Sequence, residues 1–339
     1  MGRNFGIKME EFYIQWHIND RCNLRCIHCY QDDFSGEREL SKEGLILISE
    51  NILNTMEKWK ARVSISLTGG EPLLKPELWD LLSYLENRER ISEINLITNG
   101  TLLNLYLEKI LNSSLNKIFV SLDGTTPETN DYIRGKGNFR KVLENIKVLK
   151  EKSPFKIFIM FTLMNSNYEE AKELFFFSKS LGIEGFILER FFPLGQGRDI
   201  PQELVSKERL LNLYREIFKQ CKEDFSLRDV LSTRALQVNF VGDKANLYLA
   251  ECVVARYGLA ILPHGGVFPC RRFTFEIGNL LYDSLDVLWE KSSLLNSLRQ
   301  KENLKGRCGK CKIKNCFGCR AMVYTKTGDY LEEDADCFG

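Results

Sequence analysis

Three cysteines stand close together in the segment Cys22-Asn-Leu-Arg-Cys26-Ile-His-Cys29-Tyr30, a C-x3-C-x2-C pattern. Three thiolates from one loop can bind three irons of a [4Fe–4S] cube and leave the fourth iron without a protein ligand. A reaction needs that open iron, because a small molecule can chelate it; a closed four-cysteine site suits electron transfer instead. The competing reading is a zinc loop. Zinc sites usually pair C-x2-C with a second pair or a histidine, and a C-x3-C step is unusual for them.

A second array follows near the C-terminus: Cys252, Cys270, Cys308, Cys311, Cys316, Cys319 and Cys337. Its spacing is C-x12-G-x4-C, with Gly265 inside, then C-x2-C-x4-C-x2-C, then a last cysteine after seventeen residues. The two C-x2-C pairs alone would suit a zinc ribbon. Eleven cysteines in one chain are a poor fit to structural disulfides in a reducing compartment, so metal or catalytic use is the better reading. Cys221 stands apart in a helical stretch, Leu210 to Lys222, and reads as a small buried apolar residue, the alternative being a hydrogen-atom donor to a substrate radical. His17 and His264 have no ligand spacing and read as structural.

The elements that must hold these residues alternate. Strands are expected at Tyr13–Ile18, Val63–Leu67, Ile94–Ile97, Ile118–Ser121, Ile157–Thr162 and Phe186–Arg190, each short, rich in Ile, Val, Phe or Leu, and bounded by Gly, Asn or Asp. Between them lie amphipathic helix-length segments, with Leu45, Ile48, Ile52 and Met56 forming one apolar stripe and Val142, Ile146 and Leu149 another. Ser41 is a fair N-cap for the first. Six such repeats imply an α/β protein with a parallel sheet and right-handed crossovers. Ligands gather at the C-terminal ends of such strands. The segments following the expected strands hold the first cysteine loop, Thr68–Pro72, Thr98–Gly100, Leu122–Gly124, Leu163–Asn165 and Phe191–Gly197.

Three units follow from this: residues 1–200 as a strand–helix barrel, 201–250 as a charged helical bridge, and 251–339 as a small cysteine-rich domain stapled by metal rather than by a large core. With 47 basic against 46 acidic residues, no charge excess points to nucleic acid or an anionic membrane as partner. Residues 1–11 are polar, without the apolar stretch of an export signal, and no apolar run is long enough to span a bilayer. A cytoplasmic protein is the expectation.

The Cys22–Cys29 pattern and the strand-end motifs resemble the radical SAM superfamily. The family uses C-x3-C-x-aromatic-C, with His28 here at the aromatic position, where it would lie near the adenine of S-adenosylmethionine. Thr68-Gly69-Gly70-Glu71-Pro72 looks like the family's GGEP motif, with glycines that let backbone approach the methionyl amine and Glu71 supplying charge nearby. Taken alone, the same residues would read as a Gly–Gly turn into a helix. The resemblance implies a partial (β/α)6 barrel, a catalytic [4Fe–4S] cluster on Cys22, Cys26 and Cys29, and cofactor-binding roles for His28, Tyr30, Gly69, Gly70, Glu71, Asn99, Ser121, Asp123 and Arg190. Arg190 would pair with the methionine carboxylate, since a guanidinium suits a carboxylate bidentately.

The C-terminal cysteines, together with Gly278-Asn279-Leu280 and Trp289, resemble a SPASM domain, which implies two auxiliary iron–sulfur clusters. By that pattern Cys252, Cys270 and Cys319 would hold one, and Cys308, Cys311, Cys316 and Cys337 the other. The middle block departs from the family's usual C-x2-C-x5-C-x3-C by one residue in two gaps. The implied chemistry is reductive cleavage of S-adenosylmethionine to a 5′-deoxyadenosyl radical, which removes hydrogen from an unactivated carbon. A small carrier such as flavodoxin or ferredoxin would supply the electron. SPASM enzymes typically modify a peptide or protein, so a peptide maturase is the first expectation. The alternative comes from Cys316 to Tyr330, which resembles enzymes that trim porphyrin propionates in alternative haem synthesis.

Overall fold

Alternation along the first strand decides what each side of the sheet is for. In β1 (Glu11–Asn19), Phe12, Ile14, Trp16 and Ile18 are fully buried under the helices, while Tyr13 and Gln15 face a cavity inside the curl of the sheet. The next strand repeats this: Val63, Ile65 and Leu67 are buried, and Ser64 and Ser66 line the cavity. The sheet therefore has an apolar outer face that holds the helices and a mixed inner face open to ligands, polar at Ser64, Ser66 and Asn95 and apolar at Ile97, Phe119, Met160 and Ile187.

A computed structural model describes residues 10–313 and 316–339; residues 1–9, most of the polar N-terminus noted above, lie outside the described residues. After β1 come β2 (Arg62–Gly69), β3 (Ile91–Thr98), β4 (Lys117–Ser121), β5 (Lys156–Leu163) and β6 (Gly185–Arg190). These six strands are parallel, in sequence order, as the alternating pattern implies. The helices that cross over between them are α1 (Lys42–Trp59), α2 (Leu78–Leu85), α3 (Leu107–Leu111), α4 (Pro127–Arg134), α5 (Asn138–Lys152) and α6 (Tyr168–Ser180). Ser41 caps α1 by accepting from the Gly44 amide, and Leu45, Ile48, Ile52 and Met56 form its buried stripe.

The stretch 201–250 departs from a helical bridge. It opens with α7 (Lys207–Cys221) and the single turn α8 (Leu227–Val230), but continues as an antiparallel hairpin, β7 (Ala235–Val241) and β8 (Lys244–Ala250). The hairpin extends the sheet beyond β6. Its signal is the Gly242-Asp243 turn between two alternating runs, which the charged composition masks. Cys221 is buried in the apolar core.

The chain then crosses to the other edge. β9 (Gly258–Ile261) pairs parallel with β1, followed by β10 (Gly266–Phe268) and β11 (Gly278–Asn279). The result is one open eleven-stranded sheet among the described residues, running from β11 to β8. Four short helices complete the chain: α9 (Leu285–Lys291), α10 (Ser293–Arg299), α11 (Gly306–Lys310) and α12 (Arg320–Thr327). Trp289 of α9 packs edge-on against Phe12, with ring centroids 4.9 Å apart, and tilts against Trp59 of α1. Asn51 of α1 donates to the carbonyls of Leu280 (3.0 Å) and Asp283 (2.7 Å). The C-terminal segment is thus fastened to the outer face of the strand that leads into the cysteine loop. No helix among the described residues is long and apolar enough to cross a membrane.

Candidate functional site

The first cysteine loop begins where β1 ends, and the end of β2 grips it. Amides of Gly70 and Glu71 donate to the carbonyls of Asn19 (3.0 Å) and Arg21 (2.8 Å). The approach is so close that a Cβ on Gly69 would strike Asn19, and one on Gly70 the carbonyls of Arg21 and Asp20; Gly69 also adopts φ +149°, open mainly to glycine. The glycines of the GGEP segment therefore serve close contact between two protein segments, and both also line the cavity at the strand ends.

Glu71 makes its contacts within the protein. Its side chain is fully buried, with Oε1 accepting from Thr98 Oγ1 (2.8 Å) and the Leu73 amide (3.1 Å), and Oε2 from the Asn99 amide (2.8 Å). Burial pushes its pKa up to about 7 against those three donors. It lies behind the site and positions Asn99, whose Nδ2 reaches Asn23 Oδ1 (2.9 Å) and Cys22 Sγ (3.8 Å).

Asp123, at the end of β4, is also fully buried. It accepts the Thr162 amide (2.7 Å), pairs with Arg134 (2.7 Å), and stands 3.2 Å from His28 Nε2. Arg134, the last residue of α4, bridges from this carboxylate to Cys26 Sγ at 3.8 Å. Burial lowers the His28 pKa to about 4; Asp123 opposes the shift and Arg134 adds to it. His28 is therefore neutral at pH 7. Nε2 faces the Asp123 carboxylate, which can only accept, so the neutral ring that suits this neighbour carries its proton on Nε2 and offers Nδ1 as an acceptor. That Nδ1 is buried and has no partner.

Cys22, Cys26, Cys29, His28, Tyr30, Gly69, Gly70, Asn99, Ser121 and Arg190 all line one cavity of about 270 Å³ at the C-terminal ends of the parallel strands. Burial raises the pKa of all three thiols, Cys26 to about 12 with Arg134 opposing; a metal must displace their protons to bind. Arg190 Nε is buried without a partner. Three thiols on one wall, an unpaired guanidinium and a free imidazole acceptor fit an iron–sulfur cluster beside a ligand that carries a carboxylate and an amino-substituted base.

The cavity continues into a larger one of about 950 Å³ on the inner face of the sheet. Cys252, Cys270 and Cys319 line it together with Ser64, Ser66, Asn95 and Gln237; Cys270 lines both cavities. Burial pushes Cys252 up to about 12, and nearby Cys319 and Cys270 add to the shift. Beyond this group, burial raises the Cys337 pKa and nearby Asp334 and Cys316 add to the shift, while Cys308 accepts from the Asp334 amide (3.4 Å). Cys311 follows α11 directly, its amide donating to the Cys308 carbonyl. Among the described residues no three Cys, His, Asp or Glu side chains close on a single ion.

Sequence reasoning missed a set of buried arginines. Arg320 donates to Cys308 Sγ (3.7 Å) and to the carbonyls of Tyr330 and Glu332. Arg234 donates to Cys316 Sγ (3.5 Å) and also feels Cys319 and Cys252, so it stands between the two auxiliary thiol groups. Asp334, which accepts the Cys319 amide (2.7 Å), lies 3.9 Å from Arg234. Arg320 directly follows a motif cysteine, a signal that was available; Arg134 and Arg234 lie far from any cysteine in sequence and had none.

Comparison with known proteins agrees with this arrangement. The radical SAM superfamily model matches residues 16–177, and the SPASM iron–sulfur cluster-binding domain model matches residues 252–312. An AdoMet-dependent heme synthase of Methanosarcina barkeri is 29% identical over 96% of this chain and 95% of its own. The mycofactocin maturase MftC of Mycobacterium ulcerans is 25% identical over 92% of this chain and 83% of its own. Among solved structures, Streptococcus suis SuiB bound to precursor peptide SuiA shares the fold with a TM-score of 0.73, at 18% identity, over 97% of this chain and 76% of its own. Family membership implies a [4Fe–4S] cluster and S-adenosylmethionine at the first site and auxiliary iron–sulfur binding at the second. The chain is a radical SAM superfamily enzyme with a C-terminal SPASM domain.

Proposed function

We propose that the enzyme oxidises a propionate side chain of a tetrapyrrole, as in alternative haem synthesis, using two auxiliary iron–sulfur clusters besides the radical SAM cluster. The observation that carries this reading is the match to the Methanosarcina heme synthase along 96% of one chain and 95% of the other. The large, mostly apolar cavity beside Cys252, Cys270 and Cys319 supports it, since about 950 Å³ lies at the upper end of small-molecule sites.

When bound, the reduced cluster and S-adenosylmethionine supply a 5′-deoxyadenosyl radical. Cys22, Cys26 and Cys29 would hold the cluster, Arg190 the methionine carboxylate, and His28 Nδ1 the adenine amino group. Ser121 lines the same cavity, within reach of the ribose. A propionate that loses one hydrogen atom, one electron and carbon dioxide becomes a vinyl group. Cys252, Cys270 and Cys319 would hold the nearer auxiliary cluster, which would supply an acceptor for that electron, and Cys308, Cys311, Cys316 and Cys337 would hold the one beyond it. A flavodoxin or ferredoxin is the proposed reductant, and the cytoplasm the proposed location.

The SPASM resemblance puts a peptide substrate first; the end-to-end match is our reason for placing the tetrapyrrole ahead of it. The peptide reading keeps one specific support, the similarity to MftC over 92% of this chain. Anaerobically reconstituted protein, given reductant, S-adenosylmethionine and a propionate-bearing porphyrin, is expected to form 5′-deoxyadenosine together with a product lighter by one carbon dioxide and two hydrogens. Turnover of S-adenosylmethionine that responds to a short peptide and never to porphyrin would sink the tetrapyrrole reading.

A further inference from the structure

Four guanidinium groups line the cofactor cavity: Arg134, Arg190, Arg271 and Arg272. Two are neutralised, Arg134 by Asp123 and Arg272 by Glu189. Arg190 and Arg271 make no ion pair among the described residues, and each has a buried Nε without a partner. A partly desolvated cation without an ion pair is costly, even with Asp20 near enough to Arg271 to feel its charge, and a carboxylate in direct contact is the partner whose geometry suits it. S-adenosylmethionine carries one carboxylate, so it satisfies one of the two.

Their positions separate them. Arg190 ends β6 among the strand ends that frame the cofactor. Arg271 follows Cys270, the cysteine that lines both cavities, and its guanidinium carbon lies 4.9 Å above the Tyr30 ring. The ring face holds the cation in orientation without neutralising it. We propose that Arg271 is the substrate's carboxylate subsite, placed between the radical SAM cluster and the first auxiliary group. This rests on the radical SAM reading of the cavity and names the residue that recognises an acidic substrate. The competing role for Arg271 is to serve the cluster alone, since it is close enough to Cys29 to act on its charge.

The experiment uses cluster-loaded protein with S-adenosylmethionine present. Phenylglyoxal labels guanidinium groups, and peptide mass spectrometry reads the sites. The cofactor is expected to protect Arg190 and leave Arg271 reactive; protection of Arg271 by the cofactor alone overturns the assignment. The ligand probe is a porphyrin tetra-acid with propionate side chains, its control the tetramethyl ester, both followed by the shift in porphyrin absorbance. R271Q is expected to weaken the acid about tenfold and the ester less than about twofold, as loss of a charged hydrogen bond implies. Equal weakening of both overturns a carboxylate contact. Unchanged affinity with a shifted cluster potential, read by electron paramagnetic resonance, overturns it in favour of the cluster role. If the wild type binds neither porphyrin, the tetrapyrrole reading fails by itself, and the labelling result then decides Arg271.

Discussion

At the scale of single residues, the ligand thiols depend on buried neighbours that hold and polarise them. Arg134 spans Asp123 and Cys26. A cation donating to a ligand sulfur stabilises the more negative, reduced cluster and raises its potential. R134M is therefore expected to lower the potential of the first cluster by some tens of millivolts, about 30–100 mV by the size of such hydrogen-bond effects, read by potentiometric titration; no shift would remove Arg134 from this role. Glu71 offers a pH test. Its folded pKa of about 7 lies above the unfolded carboxyl value near 4.5, so its contribution is full below pH 4.5 and lost as pH rises to about 7. Across that window stability is expected to fall by about 1 kcal/mol per pH unit from this group. Melting temperatures of holoprotein between pH 5.5 and 7.5 check the slope, which E71Q is expected to flatten.

At the scale of elements, the site is made by two strand ends pressed together. The clasp of β2 on the loop after β1 leaves no room for a side chain at Gly70. G70A must move either the loop or the strand, at a cost of about 2–4 kcal/mol. Reduced iron content at the first cluster is expected, together with a lower melting temperature. Normal iron loading in G70A would mean the clasp yields more easily than the backbone contacts suggest. The hairpin β7–β8 has an analogous task on the other side. It begins directly after Arg234, the residue that stands between the two auxiliary thiol groups, so an element read as a helical bridge in fact carries a side chain into the metal-binding region.

At the scale of the whole molecule, the C-terminal segment belongs to the same sheet as the barrel and packs on its outer face. Trp289 against Phe12 and Trp59 joins the two ends of the chain. W289A is expected to destabilise by about 3–5 kcal/mol, the usual result of emptying a buried aromatic site, and to lower the melting temperature of the whole protein in one transition. A separate early transition would show that the C-terminal segment melts independently. Iron and sulfide analysis of anaerobic protein is expected to give about twelve irons per chain, for three [4Fe–4S] centres. About four would leave the SPASM cysteines without clusters, and C308A with C337A is expected to remove one centre while the first cluster's spectrum persists.

The sequence by itself determined the six parallel strands, the apolar stripe of α1 and the grouping of cysteines after β1, because alternation and short spacings are local properties that the backbone turns directly into geometry. Only the tertiary structure decided which charged side chains meet the cavity. Glu71 and Asp123 turn inward because buried amides and Arg134 satisfy their oxygens better than a cavity wall would. Arg134, Arg234 and Arg271 reach the site across distances in sequence that no spacing rule covers, and a buried cation is placed by the anions it finds there.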